Sequence, residues 1–205
     1  MYETKGQTTK NHILREGVLL ASVNGLINIS IGGLASKANM SRSGLFAHFL
    51  SKEQLQLDIL TYAGEIFIQT VIEPCEKCSS PEEKLFMMQK LWPDWFDRTN
   101  PPIPGGCIFL IASFEFDDRP GKIKDYLVGQ QARLLKYIGK TYSLAQENKF
   151  FDTEISIEQF AYEFYSLYMG YNQYRKFFSD DQAKTRYNDA IESLYQRSGA
   201  RRILN

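Results

Sequence analysis

The sequence predicts an all-helical protein, and three observations carry that expectation. Ser51-Lys-Glu-Gln54, Ser80-Pro-Glu-Glu83 and Ser156-Ile-Glu-Gln159 each place a capping Ser three residues before a Glu or Gln, the signature of a helix start. Apolar residues after each signature follow the helical period rather than strict alternation. Between Ile29 and Leu55, two short helices fit around a tight turn. The expected architecture is an N-terminal three-helix domain over residues 1–52 and a larger helical domain over 53–205.

The first helix is expected over Thr8–Val23, with Ile13, Leu14, Leu20 and Ala21 as its apolar stripe and Asn24-Gly25 as its end. Leu34, Ala35 and Ala38 mark the inner face of the second. Asn39 is a turn residue that tolerates the left-handed conformation, Met40 is an apolar plug, and Ser41 is a good N-cap for the third helix. Leu45 and Phe49 lie four residues apart and give that helix a buried side. Arg42, Ser43, Gly44, Ala47 and His48 then face outward. This is the plan of a helix-turn-helix, whose second helix enters the DNA major groove.

Gly25, Leu34-Ala35, Ala38, Met40-Ser41, Leu45-Phe46, His48-Phe49, Ser51-Lys52-Glu53 and Leu55 occur in an order and spacing that resembles the TetR family of bacterial transcriptional regulators. The resemblance implies a homodimer with an N-terminal DNA-binding domain and a C-terminal ligand-binding and dimerisation domain. It implies two partners: a near-palindromic double-stranded DNA operator and a small-molecule inducer that releases a repressor from it. Two positions depart from the pattern. Asn39 stands where Gly is common and still permits the turn. Phe46 stands where Tyr is common, so no phosphate contact is carried onto it.

The candidate DNA-binding residues are Ser30, Ser41, Arg42, Ser43, Gly44, His48 and Lys52. Arg42, one residue after the cap, is placed to reach a guanine edge or a phosphate. Ser30, Ser41 and Ser43 offer hydroxyls, and Gly44 lets the helix approach the groove wall. His48 and Lys52 resemble the family's phosphate-contacting pair. Gly32 and Gly33 either let a phosphate approach backbone N–H groups or merely delay the helix start. Lys5 and Lys10 are placed on an N-terminal arm. Net charge is zero, but residues 1–55 carry six basic side chains against three acidic ones, a net of +3 that leaves −3 for the rest. That asymmetry suits a protein that touches phosphates with one end.

Further along, a long fourth helix carries Leu55, Ile59, Leu60, Tyr62, Ile66 and Val71 and is expected to close at Pro74. It is the expected rigid bridge between domains. The helix from Ser80 meets Pro93, which should kink or break it. Asn100–Gly106 reads as a loop and a candidate gate. Cys107–Ala112 is apolar enough for a buried strand or helix, and its helical neighbours favour helix. A long helix follows Asp117–Pro120 to about Asn148. Ser156 opens a helix with Ile157, Phe160, Ala161, Phe164, Leu167, Tyr168 and Tyr171. Ser179-Asp-Asp-Gln182 is expected to cap the last helix. These last two amphipathic helices are the expected dimerisation pair, and the polar tail from Ser198 is expected to be loose.

The body's aromatic load admits two readings. One is core and interface packing. The other is a ligand site drawing on Trp92, Trp95, Phe96, Phe109, Phe114, Tyr165, Tyr168 and Tyr171. Cys75 and Cys78 have metal-ligand spacing, but no second pair or nearby His completes a site. No metal and no cofactor are therefore expected. No Gly-x-Ser-x-Gly, His-Glu-x-x-His or phosphate-loop motif appears, so an enzyme is not expected. No signal peptide or membrane-length apolar run is present, which makes cytoplasm the default and excludes a membrane partner. The alternative to a regulator is a helical ligand- or protein-binding module that has lost specific DNA binding.

Overall fold

The computed structural model describes residues 5–152 and 155–200, and every regular element among them is helical. In chain order these are α1 (Lys5–Asn24), α2 (Ile31–Lys37), α3 (Arg42–Phe46), α4 (Lys52–Phe67), α5 (Glu73–Glu76), α6 (Pro81–Leu91), α7 (Ile108–Glu115), α8 (Lys122–Glu147), α9 (Ile157–Lys176) and α10 (Ala183–Arg197). Among the described residues, no helix is long and apolar enough to cross a membrane.

Serine caps fix where several helices begin. Ser30 Oγ accepts from Gly33 N at 3.1 Å, Ser41 Oγ from Gly44 N at 3.0 Å, Ser80 Oγ from Glu83 N at 3.3 Å, and Ser156 Oγ from Gln159 N at 3.1 Å. Each satisfies an N–H that the first helical turn leaves without a partner. Pro93 breaks the helix as expected, and a 3₁₀ turn over Trp92–Asp94 follows α6.

Four expectations are corrected. Pro74 does not close the fourth helix. A π-helical turn over Ile68–Ile72 follows α4, and Pro74 sits in the first turn of α5, where its missing N–H breaks no bond. Ser179 does not cap the last helix. It adopts φ 52°, and Asp180 Oδ1 accepts from Gln182 N at 2.9 Å instead. Ser198 is not loose: it is fully buried, and its carbonyl accepts from Asp152 N at 3.2 Å. The rest of that tail, from residue 201, lies outside the described residues. Phe49 is buried as expected but lies beyond the end of α3, in the turn that follows.

The chain divides into two compact units interleaved in sequence. One comprises Met1–Phe67 and Phe96–Gly129, the other Ile68–Trp95 and Gln130–Asn205. In the first unit, α1 packs on α2, α4 and α7 over a core that includes Ile13, Val18, Leu34, Leu45, Phe49, Leu55 and Ile59. Gly17 lets α1 approach α4 closely, since a Cβ there would meet Ile59 Cδ1 at 2.7 Å. In the second unit, aromatic rings make the core: Trp92 stacks on Tyr168 at 4.1 Å and Tyr142 on Phe160 at 3.8 Å. Each such ring buries about 150–250 Å².

Candidate functional site

The N-terminal motif is built by two left-handed residues and two caps. Gly25 ends α1 with φ 85°, and its N–H donates to Ala21 O at 2.9 Å. A side chain there would collide with Glu115 Oε1 at 1.9 Å. The Glu115 carboxylate accepts from Leu26 N and Ile27 N at 2.8 and 3.2 Å, so α7 supports the turn that leads into α2. Asn39 takes φ 54°, which folds Met40 N back onto Ala35 O at 2.9 Å. Met40 is half-buried beneath the turn. Ser41 then starts α3.

The short α3 presents Ser41, Arg42 and Ser43 to solvent, with Gly44 and His48 partly exposed beside them. Ser41 Oγ and Ser43 Oγ lie 3.1 Å apart. The Arg42 guanidinium packs over the backbone of Gly32 on α2. Lys52 Nζ donates to Ile27 O at 2.8 Å, which ties the start of α4 to the turn before α2 and leaves two ammonium protons for another acceptor. Six of the seven candidates therefore surround one exposed helix start and its flanks, and Ser30 caps the neighbouring α2. Lys10 is not a free arm contact, because it pairs with Asp58 at 2.7 Å and lies over the Phe49 ring. The Lys5 side chain lies outside what is described.

A shallow polar groove of about 530 Å³ runs beside α2, lined by Asn24, Asn28, Ser30, Gly33, Ser36, Lys37 and Asn39 among others. Asn28, Ser36 and Lys37 were not singled out from the sequence. For Lys37 a signal was present: Ser30, the cap of α2, and Gly33 and Lys37 within it fall at helical spacing.

A family model described as the tetracyclin repressor-like C-terminal domain matches residues 81–191, just over half of the chain. The chain belongs to the TetR family of transcriptional regulators. It is thus a transcription factor rather than an enzyme. Solved structures agree on the fold. A TetR-family transcriptional regulator from Cytophaga hutchinsonii superposes with a TM-score of 0.84 at 16% identity, covering 98% of this chain and 100% of that one. A TetR transcriptional regulator from Chloroflexus aurantiacus gives 0.81 at 19% identity, covering 94% of each. AibR, solved with isovaleryl coenzyme A and operator DNA, gives 0.67 at 16% identity, covering 92% of this chain and 97% of that one. No curated protein sequence matches the chain.

In the body of this TetR-family protein, the eight aromatic candidates are divided between the two units. Phe96, Phe109 and Phe114 belong to the first unit, and the other five to the second. Trp92, Trp95, Phe96, Phe109, Tyr168 and Tyr171 are buried, whereas Phe114 is 65% exposed. Trp92 stacks on Tyr168, with ring centroids 4.1 Å apart. Tyr171 hydrogen-bonds to Asp94, which also accepts from Lys184 at 2.7 Å and Arg175 at 3.3 Å. Of the eight, Tyr165 alone lines the apolar groove of about 610 Å³ between α8 and α9. Leu135, Gly139, Ile157, Ala161, Tyr162 and Met169 shape the same groove, with Lys136, Lys140 and Glu158 on its rims.

The loop Asn100–Gly106, the candidate gate, is bonded to α1 at two points. Arg15 Nη2 donates to Asn100 O at 2.6 Å, and Gly105 N donates to Ser22 Oγ at 3.1 Å. A Cβ on Gly105 would overlap Ser22 O at 1.6 Å, so the loop backbone lies directly on the end of α1.

The cysteines are free thiols. Burial pushes Cys75 up to about 12, with Cys78 and Glu76 adding to the effect and Lys84 opposing it. Such a thiol carries almost no thiolate at neutral pH and is a poor nucleophile or metal ligand. Among the described residues, no three of His, Cys, Asp and Glu gather as a metal site.

Proposed function

We propose that the protein is a ligand-responsive repressor that binds a near-palindromic operator as a homodimer. Ser30, Ser41, Arg42, Ser43, Gly44, His48 and Lys52 form the DNA surface in this reading, with Asn28, Ser36 and Lys37 beside them. The observation that carries it is α3: a serine-capped helix start that exposes a guanidinium and two hydroxyls while burying Leu45 behind them. Base edges in the major groove are read by such donors at a helix N-terminus. AibR, with operator DNA and an acyl-coenzyme A bound, shares this fold and supports both partners. The homodimer is assigned to α9 and α10. A cytoplasmic location follows from the DNA partner.

Selection from a random duplex pool tests the reading. The expected result is an enriched inverted repeat whose half-sites are centred about one helical turn apart, or a multiple of it. A pool that returns no motif favours the module that has lost DNA binding.

A further inference from the structure

The exposed face of α3 carries one large side chain that can make no hydrogen bond. Phe46 is 54% exposed, while its chain neighbour Leu45 is fully buried. At about 100° per residue, Arg42, Phe46, Ser43 and Ala47 follow one another around α3 and its C-cap over an arc of roughly 140°. All four are exposed, and Leu45 lies on the far side, against the domain's own core. Phe46 and Ser43 thus take the middle of the exposed arc and Arg42 its edge. A helix that packs its back on its own domain presents the middle of that arc to the base edges when it enters a groove. The core does not need this ring, since Leu45 and Phe49 already fill the space behind α3. A lone exposed apolar side chain calls for no explanation by itself. Its place between Arg42 and Ser43 does.

We propose that Phe46 reads thymine, packing its ring against the C5-methyl group in the major groove at one base pair of each half-site. The proposal rests on the operator reading above and adds a base that α3 selects. Among the four bases, only thymine presents a methyl group in the major groove; the other edges there are donors and acceptors. A phenyl ring set against a donor or acceptor strips its water and returns no hydrogen bond, which is costly. Against a methyl group it buries apolar surface on both sides. Cytosine, with an amino donor on its edge, is therefore disfavoured at the same place. Arg42 and Phe46 are four residues apart, about 6 Å along the helix axis or about two base-pair steps. The thymine accordingly falls within about two base pairs of the position that Arg42 sets. The surroundings favour a duplex over an apolar protein partner. Arg42 and Ser43 flank the ring, and residues 1–55 carry six basic side chains against three acidic ones. An apolar partner would have to bury the Arg42 guanidinium beside the ring without a counter-charge, whereas phosphates and guanine edges pair it.

Replacing thymine with deoxyuridine tests the contact, because it removes the methyl group and leaves every donor and acceptor in place. Each thymine of the operator returned by random-pool selection is changed in turn, symmetrically in both half-sites. Full-length wild-type protein should lose about fourfold in affinity at one thymine per half-site, or about fifteenfold for the symmetric pair. F46A should bind the thymine and uracil duplexes equally, with an unchanged circular dichroism spectrum, since the side chain is exposed. F46Y keeps the ring and should keep the discrimination. L50A removes the 96% exposed apolar side chain in the turn after α3 and should keep it too. A wild-type protein indifferent to every methyl group overturns the proposal while sparing the operator reading. So does discrimination that survives F46A, or that L50A abolishes. Equal losses on both duplexes in F46A, from an indifferent wild type, would set the ring on the sugar-phosphate backbone. No loss on either would leave it to a protein partner. A pool that returns no motif overturns both this proposal and the operator reading.

Discussion

Arg42 lies across Gly32: a Cβ on Gly32 would sit 3.0 Å from both Nε and Nη2 of the guanidinium. The first helix of the motif thus makes a side-chain-free seat for the most informative side chain of the second. Gly32→Ala should cost no folding stability and add a few tenths of a kcal/mol, because Ala is the better helix former and the displaced side chain is exposed and flexible. It should nevertheless change operator binding, because Arg42 loses its resting position. Arg42→Ala should cost about 1–3 kcal/mol of operator affinity and relax preference at one base position. Competition binding against single-base operator variants measures both. If Gly32→Ala leaves affinity and preference at wild-type values, seating by α2 is not part of recognition.

In the proposed reading Lys52 has two tasks, and salt separates them. Its bond to Ile27 O at 2.8 Å holds the motif to α4, and its remaining protons face solvent. Lys52→Ala should weaken binding to all duplex sequences and lower the slope of log K against log salt by about 1, the loss of one phosphate contact. Thermal stability should fall by no more than about 1 kcal/mol, because the bond is exposed. An unchanged salt slope would leave Lys52 with the structural task alone.

What the sequence disclosed, and what it hid, follows from the range of the interactions. Ser30, Ser41, Ser80 and Ser156 cap helices through bonds three residues long, and Asn39 and Gly25 set their own backbone angles, so each was legible locally. Ser179 misled because its role depends on Tyr174 O capturing Asp180 N, which forces the chain through the left-handed region. The aromatic candidates stayed ambiguous for a longer-range reason. Residue type cannot distinguish Trp92 stacked on Tyr168 from Trp92 facing a ligand. Glu115, 89 positions from Leu26, could not be assigned to the turn after α1 without the fold.

Asp94 ties α9 and α10 to the turn after α6 and makes the second unit sensitive to acid. Burial alone would raise its carboxyl, but hydrogen bonds from Lys184 and Tyr171, with the charges of Lys184 and Arg175, outweigh burial and hold it below the usual carboxylate range. A depressed carboxyl stabilises the fold above its unfolded value, about 3.9, and the contribution is lost as pH falls through the folded one. Asp94→Asn should therefore cost about 1–2 kcal/mol at pH 7 and less at an acid pH, where the native side chain takes up its own proton. Urea melts at the two pH values check the difference. An equal loss at both would mean that shape, not charge, is what Asp94 supplies.

The last prediction concerns two hydroxyls. Tyr187 and Tyr195 are almost fully buried on the inner face of α10, and neither hydroxyl has a hydrogen-bond partner among the described residues. Burial raises both phenols well above their ordinary value, so each remains a protonated donor at any physiological pH. Tyr195 keeps its ring packed edge-on against Phe86 at 5.1 Å and stacked near Phe160, and Phe preserves that shape. A buried hydroxyl without a partner costs about 1–3 kcal/mol, whereas removing it costs almost nothing in packing. Tyr195→Phe and Tyr187→Phe should each leave stability unchanged or raise it, by up to roughly 2–4 °C in Tm for each kcal/mol recovered. Scanning calorimetry of the ligand-free protein decides the sign. A drop of more than about 1 kcal/mol in either variant would show that its hydroxyl is hydrogen-bonded in solution, by a buried water or by a ligand carried through purification. Mass spectrometry of the denatured protein's extract would then separate those two.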